Sequence, residues 1–170
     1  MKLLVVSDTH GRRDRLADLL VRHRDAEWFL FLGDGERDLP DVLPSERCTM
    51  VGVRGNCDSA MFSDLPEERF LDLGTYTVMM THGHVYSVKS GIDRAIARAV
   101  ERGADILCFG HTHVPLERYL PKGERIGDLV LTKPLWVMNP GSLGKPFDGK
   151  PSYGLVDIRG SQLLLSHGAL

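Results

Sequence analysis

The chain has 170 residues, of which 42% are hydrophobic, a length and composition typical of a globular protein with its own apolar core. Its 21 Lys and Arg residues nearly balance its 23 Asp and Glu residues, and the formal net charge is -2. This balance argues against a broad basic surface for nucleic acid or for a membrane. The sequence shows no internal repeat and no linker-like run, so we expect a single domain over residues 1–170.

The amino-terminal apolar run and the cysteines both bear on the cellular compartment and favour the cytoplasm. Only residues 3–6 are apolar before Ser7, which is too short for a signal peptide or for a membrane span. Three cysteines in separate segments, without a CxxC pair, favour neither a disulfide framework nor a thiolate zinc site. We therefore expect a cytoplasmic protein that does not enter a membrane.

The first two thirds of the chain alternate between predicted strands and helices. Short, continuously apolar runs predict buried strands, and apolar residues spaced by three or four predict helices. Two runs on either side of Gly74 predict a β-hairpin. The predicted strands are 3–7, 28–32, 49–53, 69–73, 76–81 and 106–109, and the predicted helices are 13–24 and 89–102.

Strands dominate the last third of the chain. We predict strands at 114–120, 135–138, 153–158 and 162–166, with an irregular loop at 121–134. The whole pattern predicts an α/β fold of two stacked mixed β-sheets with helices outside them. The apolar residues of the loop, with Trp136 nearby, are candidates for a contact in a homo-oligomer.

Side chains that bind metal ions recur where a predicted strand ends, usually beside a glycine. Any one of them has an ordinary interpretation as a turn residue, a helix cap or a hydrogen-bonded structural histidine. Together they predict a metal site, because loops at the ends of strands converge on one crevice. The candidate ligands are Asp8, His10, Asp34, Asn56, His82, His111 and His113.

The ligand types narrow the choice of metal. Carboxylate, imidazole and amide groups without thiolate suit Mn, Fe, Co, Ni or Zn better than they suit a closed cysteine-rich zinc site. Seven ligands are too many for one ion, whereas two ions about 3.5–4 Å apart, bridged by one carboxylate, would use all of them.

Five short motifs in this order resemble those of the calcineurin-like metallophosphoesterase superfamily, most closely its small bacterial and archaeal phosphodiesterase branch. Two later segments, Asn139-Pro140-Gly141-Ser142 and Ser152-Tyr153-Gly154, also resemble that branch. The resemblance implies a four-layer α/β/β/α sandwich. The five motifs are Asp8-Thr9-His10-Gly11, Gly33-Asp34, Gly55-Asn56-Cys57-Asp58, His82-Gly83-His84 and Gly110-His111-Thr112-His113.

The resemblance also implies a division of the ligands and a reaction. Asp8, His10 and His113 would hold one metal ion, Asn56, His82 and His111 the other, and Asp34 both. Such a pair of ions, manganese being our first choice, would activate water or hydroxide to hydrolyse a phosphate ester. The substrate would be a small phosphoester, most simply a phosphodiester and possibly that of a nucleotide.

One residue departs from the superfamily pattern. Many members carry a histidine after the asparagine, interpreted as the general acid for the leaving group, and this chain has Cys57 there. A thiol with an ordinary pKa of about 8.5 is a poorer proton donor, which favours substrates with good leaving groups. The alternative is that Cys57 is a small buried hydrophobic residue beside the site.

Four further residues, two within the motifs and two beside them, are candidates for catalysis or substrate binding. Asp58 either orients an imidazole ligand or caps a turn. His84 either reaches the phosphate or only packs against its neighbours. Arg12 and Arg54 either bind phosphate oxygens, which match a guanidinium group, or are simply solvated.

Two functions without turnover remain as alternatives. The fold of this branch resembles that of a eukaryotic retromer subunit that serves mainly as a protein-binding scaffold, and such a protein would be expected to have lost metal ligands. This chain keeps all seven. A regulatory nucleotide-binding module is the other alternative.

Overall fold

The first predicted buried strand is covered on both of its faces. In the computed structural model, which describes residues 1–39 and 47–170, strand β1 (Lys2–Val6) lies in the middle of a five-stranded sheet. Leu3 and Val5 pack towards a second five-stranded sheet, whereas Leu4 and Val6 pack against helix α1 (Arg13–Arg22). Successive side chains of a strand point to opposite faces, so a strand covered on both faces needs apolar residues throughout.

The remaining elements follow the predicted order closely. A second helix, α2 (Asp93–Glu101), and two short 3₁₀ helices, Glu36–Asp38 and His84–Tyr86, complete the described helical segments. The other strands are β2 (Trp28–Phe31), β3 (Thr49–Gly52), β4 (Glu68–Asp72), β5 (Thr77–Thr81), β6 (Ile106–Phe109), β7 (Pro115–Leu120), β8 (Arg125–Ile126), β9 (Leu129–Val130), β10 (Leu135–Pro140), β11 (Ser152–Arg159) and β12 (Gln162–Ala169).

Each sheet contains three neighbouring parallel strands. The first sheet has the order β12-β11-β1-β2-β3, in which β1, β2 and β3 are parallel. The second has the order β4-β5-β6-β10-β7, in which β5, β6 and β10 are parallel. The strand ends are in register, with Val6 opposite Phe31 and Thr81 opposite Phe109. The loops that follow these strands therefore leave each sheet at a common edge.

The apolar core is divided into three layers by the two sheets. The middle layer joins Leu3 and Val5 of the first sheet to Met80 and Cys108 of the second. Helix α1 packs on the outer face of the first sheet, and α2 packs on the outer face of the second, where its Ile96 is fully buried. The expected fold class, two stacked mixed sheets flanked by helices, is confirmed.

Helix α2 is shorter than predicted. It begins at Asp93 rather than at residue 89, because Ser87 and Gly91 have positive φ angles of 55° and 150° that a right-handed helix does not contain. Ser87 ends the preceding 3₁₀ helix in the left-handed region. The apolar spacing alone gave no sign of this break.

The prediction of an irregular loop at 121–134 was wrong. Strands β8 and β9 pair as a small hairpin around Gly127, whose φ of 58° suits a tight turn. Leu131 is buried, and Ile126 and Leu129 pack against the core beneath α2. Most of the apolar residues that we considered for an oligomer contact are therefore used within the chain.

Neither helix of the described residues could cross a bilayer, since α1 and α2 have only ten and nine residues.

Candidate metal centre

All seven candidate ligands lie beyond the carboxyl ends of parallel strands, at one edge of the sandwich. Asp8 and His10 follow β1, Asp34 follows β2 and Asn56 follows β3. The other three histidines come from the second sheet: His82 follows β5, and His111 and His113 follow β6. Because the two sheets are stacked, these loops meet in one crevice.

The first group of ligand atoms contains Asp8, His10 and His113. The Asp8 Oδ1 atom lies 2.9 Å from His113 Nε2 and 3.6 Å from His10 Nε2. The two imidazole nitrogens are 3.3 Å apart. Three potential ligand atoms from two different sheets therefore surround one point.

The second group surrounds the Nε2 atom of His82. This atom lies 3.4 Å from Asp34 Oδ2, 3.2 Å from Asn56 Oδ1 and 3.1 Å from His111 Nδ1. The other ring nitrogen of His82, Nδ1, is 2.7 Å from the carbonyl oxygen of Leu32 and donates to it. That hydrogen bond leaves the Nε2 lone pair free for a ligand.

The Asp34 carboxylate lies between the two groups. Its Oδ2 atom is 3.4 Å from His82 Nε2 and 3.9 Å from His10 Nε2, one nitrogen from each group. Its Oδ1 atom accepts a hydrogen bond of 2.7 Å from the backbone N–H of Cys57. One carboxylate oxygen thus faces both groups, as a bridging ligand would.

The chemistry of the first group fits a cation. Asp8 Oδ2 accepts hydrogen bonds from the Ser7 hydroxyl and from the His111 backbone N–H, at 2.5 and 3.0 Å. Asp8 Oδ1 is buried and accepts no hydrogen bond from any residue within 1–39 and 47–170. A buried charged oxygen without a partner is costly, and a metal ion would supply the missing partner.

The carboxylates and imidazoles shift one another's pKa values. Burial acts to raise the pKa of Asp34, but the proximity and charge of His82 and the contacts with Cys57 together outweigh it and lower this pKa to about 2. Burial also acts to raise the pKa of Asp8, and the neighbouring imidazoles of His10, His113 and His82, with the Ser7 hydroxyl, together reverse this. Burial and the charge of His82 lower the pKa of His111 to about 4. At neutral pH the site therefore offers two ionised carboxylates and a neutral His111 ring.

The ligand loops have an unusual backbone. A positive φ angle is uncommon for residues other than glycine, and it costs about 1–3 kcal/mol where other contacts impose it. Six such residues occur in the described parts of the chain, and five of them are candidate ligands. These five, with φ angles of 44–68°, are Asp8, His10, Asp34, His111 and His113.

Two buried polar residues at the end of β10, to which the sequence analysis assigned no role, hold these loops. The Asn139 amide donates to the Gly110 carbonyl and the Thr112 hydroxyl, at 2.9 and 3.0 Å. The Ser142 hydroxyl donates to the Asp8 carbonyl at 2.9 Å. The available signal was the same as for the ligands: polar side chains directly after a buried strand.

A third supporting residue, Asp38, had no recognisable sequence signal. Its buried carboxylate accepts hydrogen bonds from the Thr9 hydroxyl at 2.5 Å and the Gly11 backbone N–H at 2.7 Å. It therefore fixes the loop that carries Asp8 and His10.

Asp58 contacts backbone groups rather than an imidazole. Its two carboxylate oxygens accept four hydrogen bonds of 2.8–2.9 Å, from the backbone N–H groups of Asp34, Gly35, Glu36 and Gly55. The expectation that Asp58 orients a ligand imidazole is not met, because the loop of Asp34 folds over this carboxylate. The alternative, a turn-capping residue, describes it better.

Cys57 is exposed at the edge of the site, so the alternative of a buried hydrophobic residue is wrong. Its backbone N–H donates to the Asp34 carboxylate, and its Sγ lies 3.4 Å from the Asn56 amide nitrogen. The thiol also lies within 4.8 Å of potential ligand atoms of His10 and Asp34. Partial burial and then the Asp34 carboxylate raise the pKa of Cys57 to about 11.

The other three candidates for catalysis or substrate binding, His84, Arg12 and Arg54, have different neighbours. The ring centroid of His84 lies 5.5 Å from that of His82, so His84 flanks the second group. The Arg12 guanidinium donates to the Asp14 carboxylate, at 2.7 and 3.0 Å. Arg54 donates to Glu67 at 2.8 Å. Both guanidinium groups are thus already bound to carboxylates.

Known protein sequences resemble most of this chain. A sequence model described as a calcineurin-like phosphoesterase superfamily domain matches residues 1–161. The chain is 35% identical over 146 residues to a protein named probable metallophosphoesterase YsnB from Bacillus subtilis, covering 86% of this chain and 77% of that one. It is 32% identical over 169 residues to a probable metallophosphoesterase from Methanothermobacter thermautotrophicus, covering 96% and 89%.

Solved structures with the same fold include a predicted phosphoesterase from Streptococcus pneumoniae, with a TM-score of 0.76, 25% identity and coverage of 99% of this chain and 88% of that one. A novel archaeal phosphodiesterase has a TM-score of 0.69 and 19% sequence identity, with complete coverage of both chains. Vps29 from Entamoeba histolytica, solved with Zn²⁺, has a TM-score of 0.71 and 20% sequence identity, with coverage of 100% of this chain and 98% of that one. The last two show the fold alone. With a family match over residues 1–161 and relatives above 30% identity along most of its length, this chain belongs to the calcineurin-like phosphoesterase superfamily.

Proposed function

We propose that this protein hydrolyses phosphate esters, in particular phosphodiesters, at a centre of two divalent metal ions. The single observation that carries the proposal is the pair of ligand groups that share one oxygen of Asp34, with His10 on one side and His82 on the other. Membership of the superfamily supports a metal-dependent hydrolase of phosphoesters. The shared oxygen adds the second ion to that expectation.

The chain's own residues divide between the two ions. Two ions about 3.5–4 Å apart would supply activation of a water nucleophile and stabilisation of charge on the phosphoryl oxygens. The oxygen and nitrogen ligands suit manganese, our first choice, and also nickel, iron, cobalt and zinc. Asp8, His10 and His113 would hold one ion, Asn56, His82 and His111 the other, and Asp34 both.

Neighbouring residues would position the substrate and protect the ligand geometry. His84 flanks the second group and is the best-placed side chain for a contact with a phosphate oxygen. Asp58 acts by holding the loop of Asp34. A phosphate contact from Arg12 or Arg54 would require each to leave its carboxylate partner, so both contribute less than their positions in the sequence indicated.

The alternative of a protein-binding scaffold without turnover on the same fold predicts loss of ligands. All seven ligand side chains are present and converge, which favours the enzyme. The chain also has a modest net charge of -2, which is compatible with a small phosphoester substrate, possibly a nucleotide.

The test combines metal content with turnover. Protein stripped with a chelator should bind two equivalents of Mn²⁺ and then hydrolyse bis(p-nitrophenyl) phosphate. Asp34→Asn should lose at least one equivalent and reduce turnover by at least about 100-fold, the upper end of losses seen when groups around a metal are removed. Asp18→Asn, on the exposed face of α1, is the control and should behave as wild type. A stoichiometry of one in the wild type, or full turnover in Asp34→Asn, would refute the proposal.

A further inference from the structure

A cleft of 570 Å³ opens beside the candidate metal centre. Two candidate ligands, His10 and Asp34, line it together with Cys57. The cleft is larger than a phosphoryl group needs, and its wall extends to Phe62, a residue outside every motif described above. It can therefore hold an organic group of the substrate next to the reacting phosphate.

The position of Phe62 is set by a turn after the Asn56 loop. The backbone N–H groups of Phe62 and Ser63 both donate to the Ser59 carbonyl, each at 3.0 Å. The Phe62 side chain remains 77% exposed. An exposed phenylalanine is ordinary by itself. Phe62 is unusual because it lines the same cleft as two metal ligands, where a flat apolar ring can pack against an aromatic group.

The charges of the cleft restrict which aromatic group fits. Arg37 is the cation of the wall, and Glu36, Asp38 and Asp58 are carboxylates of the same wall. Asp38 and Asp58 accept hydrogen bonds from neighbouring loops, Asp38 from Thr9 and Gly11 and Asp58 from the loop of Asp34. Among the wall residues that are not candidate metal ligands, carboxylates thus outnumber the guanidinium group, so a second anionic group of the substrate held against this part of the wall would be repelled at short range.

We propose that Phe62 is a specificity-determining residue that packs against an aromatic ester group of the substrate, and that the cleft prefers an uncharged ring to one carrying a further anion. The inference rests on the proposed function, because the phosphoryl group must lie at the metal centre for its ester group to enter the cleft. The substrate class is therefore a phosphodiester with at least one uncharged aromatic substituent.

Binding of phosphonates tests this without turnover, because their C–P bond is not hydrolysed as an ester. Calorimetry with the Mn²⁺-loaded protein should show phenylphosphonate binding about five- to tenfold more tightly than methylphosphonate, the size of one aromatic contact. Phe62→Ala should reduce this ratio to below about twofold and leave the methylphosphonate affinity unchanged. Phe62 is exposed, so the variant should fold, which thermal unfolding will check.

Two variants serve as controls. Met61→Ala removes a side chain that is 83% exposed in the same turn but lies outside the cleft wall, and it should retain the wild-type ratio. Phe147→Ala removes an exposed aromatic ring from a residue whose backbone N–H donates to the His113 carbonyl, and it should also retain this ratio. If the ratio collapses in Phe147→Ala and persists in Phe62→Ala, the inference is wrong.

The charge preference has its own measurement. 4-Carboxyphenylphosphonate should bind more weakly than phenylphosphonate, and Glu36→Gln should reduce that difference. Equal affinity of the two ligands would overturn this part of the inference. If methylphosphonate binds and the protein hydrolyses bis(p-nitrophenyl) phosphate, but the phenyl group adds nothing, the inference fails while the proposed function stands. If neither phosphonate binds and no metal-dependent hydrolysis occurs, both fail.

Discussion

The Cys57 thiol occupies the position at which many superfamily members carry a histidine. The residue is exposed, but its thiol is partly shielded from water. This shielding and then the Asp34 carboxylate raise the pKa of Cys57 to about 11, so the thiol is protonated at neutral pH. A thiol with so high a pKa transfers its proton to a leaving group less readily than an imidazolium does. We therefore expect the site to favour esters whose leaving groups depart without a proton.

We accordingly expect Cys57→Ala to change turnover of bis(p-nitrophenyl) phosphate by less than about fivefold, because general-acid catalysis, worth about 10²–10⁴-fold where it operates, has little to contribute. Cys57→His should raise the ratio of alkyl to aryl ester turnover. Both are measured at matched metal loading. A loss of about a thousandfold in Cys57→Ala, the scale of a missing catalytic acid, would show that the thiol takes part in the reaction.

His23, at the end of α1, lies outside the motifs and is partly buried. Both of its ring nitrogens are buried and have no hydrogen-bond partner among the residues described, and its ring packs against Tyr153. Burial and then the charge of Lys2 lower the pKa of His23. The folded protein therefore favours the neutral ring, and the unfolded chain takes up a proton as the pH falls through about 6.5. The contribution of His23 is present above that pH and is lost below it.

Replacement of His23 by leucine should therefore stabilise the protein more at pH 5.5 than at pH 7.5. The leucine carries no polar atom that lacks a partner, so a gain of up to about 1 kcal/mol is expected. The free energy of unfolding of wild type and variant is measured by urea denaturation at both pH values, with chelator present throughout. Equal differences at both pH values would contradict the assignment of a buried neutral ring.

Among the elements, β10 has a part in the site although it carries no ligand. It lies beside β6, parallel to it, and its end supplies Asn139, which is fully buried and bound to the loop between β6 and β7. His111 and His113 of this loop have left-handed backbone conformations that they would not hold alone. We infer that the end of β10 keeps these two imidazoles in position.

Asn139→Ala should reduce stability by about 1–3 kcal/mol, because it leaves the Gly141 N–H without its partner and removes one of the two hydrogen bonds to the Gly110 carbonyl. It should also weaken metal binding, measured as the dissociation constant for Mn²⁺. Val137→Ala is the matched control, since Val137 is a fully buried residue of the same strand that packs in the core beneath α2. That control should lose stability but keep metal affinity, and a similar loss of affinity in both variants would mean that Asn139 acts only through stability.

At the scale of the whole molecule, the hairpin of β8 and β9 belongs to the core rather than to a surface offered to another copy. Leu131, directly after it, is only 2% exposed, whereas Val130 is 44% exposed. Leu131→Ala should therefore lower the free energy of unfolding by about 2–5 kcal/mol, as expected for a buried leucine.

Val130→Ala, in contrast, should change the free energy of unfolding by no more than about 0.5 kcal/mol. It should also leave the mass in solution, measured by light scattering, unchanged. A change in oligomeric state in Val130→Ala would restore the contact between copies that the sequence indicated.

The sequence by itself determined the family, the layered fold and the types of metal ligand. Each depends on local information: apolar runs that are covered on both faces, and polar residues placed directly after them, as in Val5-Val6-Ser7-Asp8. The shortened helix α2 and the small hairpin were missed because Ser87, Gly91 and Gly127 interrupt the local pattern through their backbone angles.

Only the tertiary structure decided which atoms face one another. His10 and His113 are 103 residues apart, and their approach depends on how the two sheets stack. The shared oxygen of Asp34, the partners of Arg12 and Arg54 and the cleft beside Phe62 likewise depend on contacts between distant segments. Spacing along the chain names the groups that can bind a metal, but the distances and free lone pairs at the site exist only once the loops of both sheets have met.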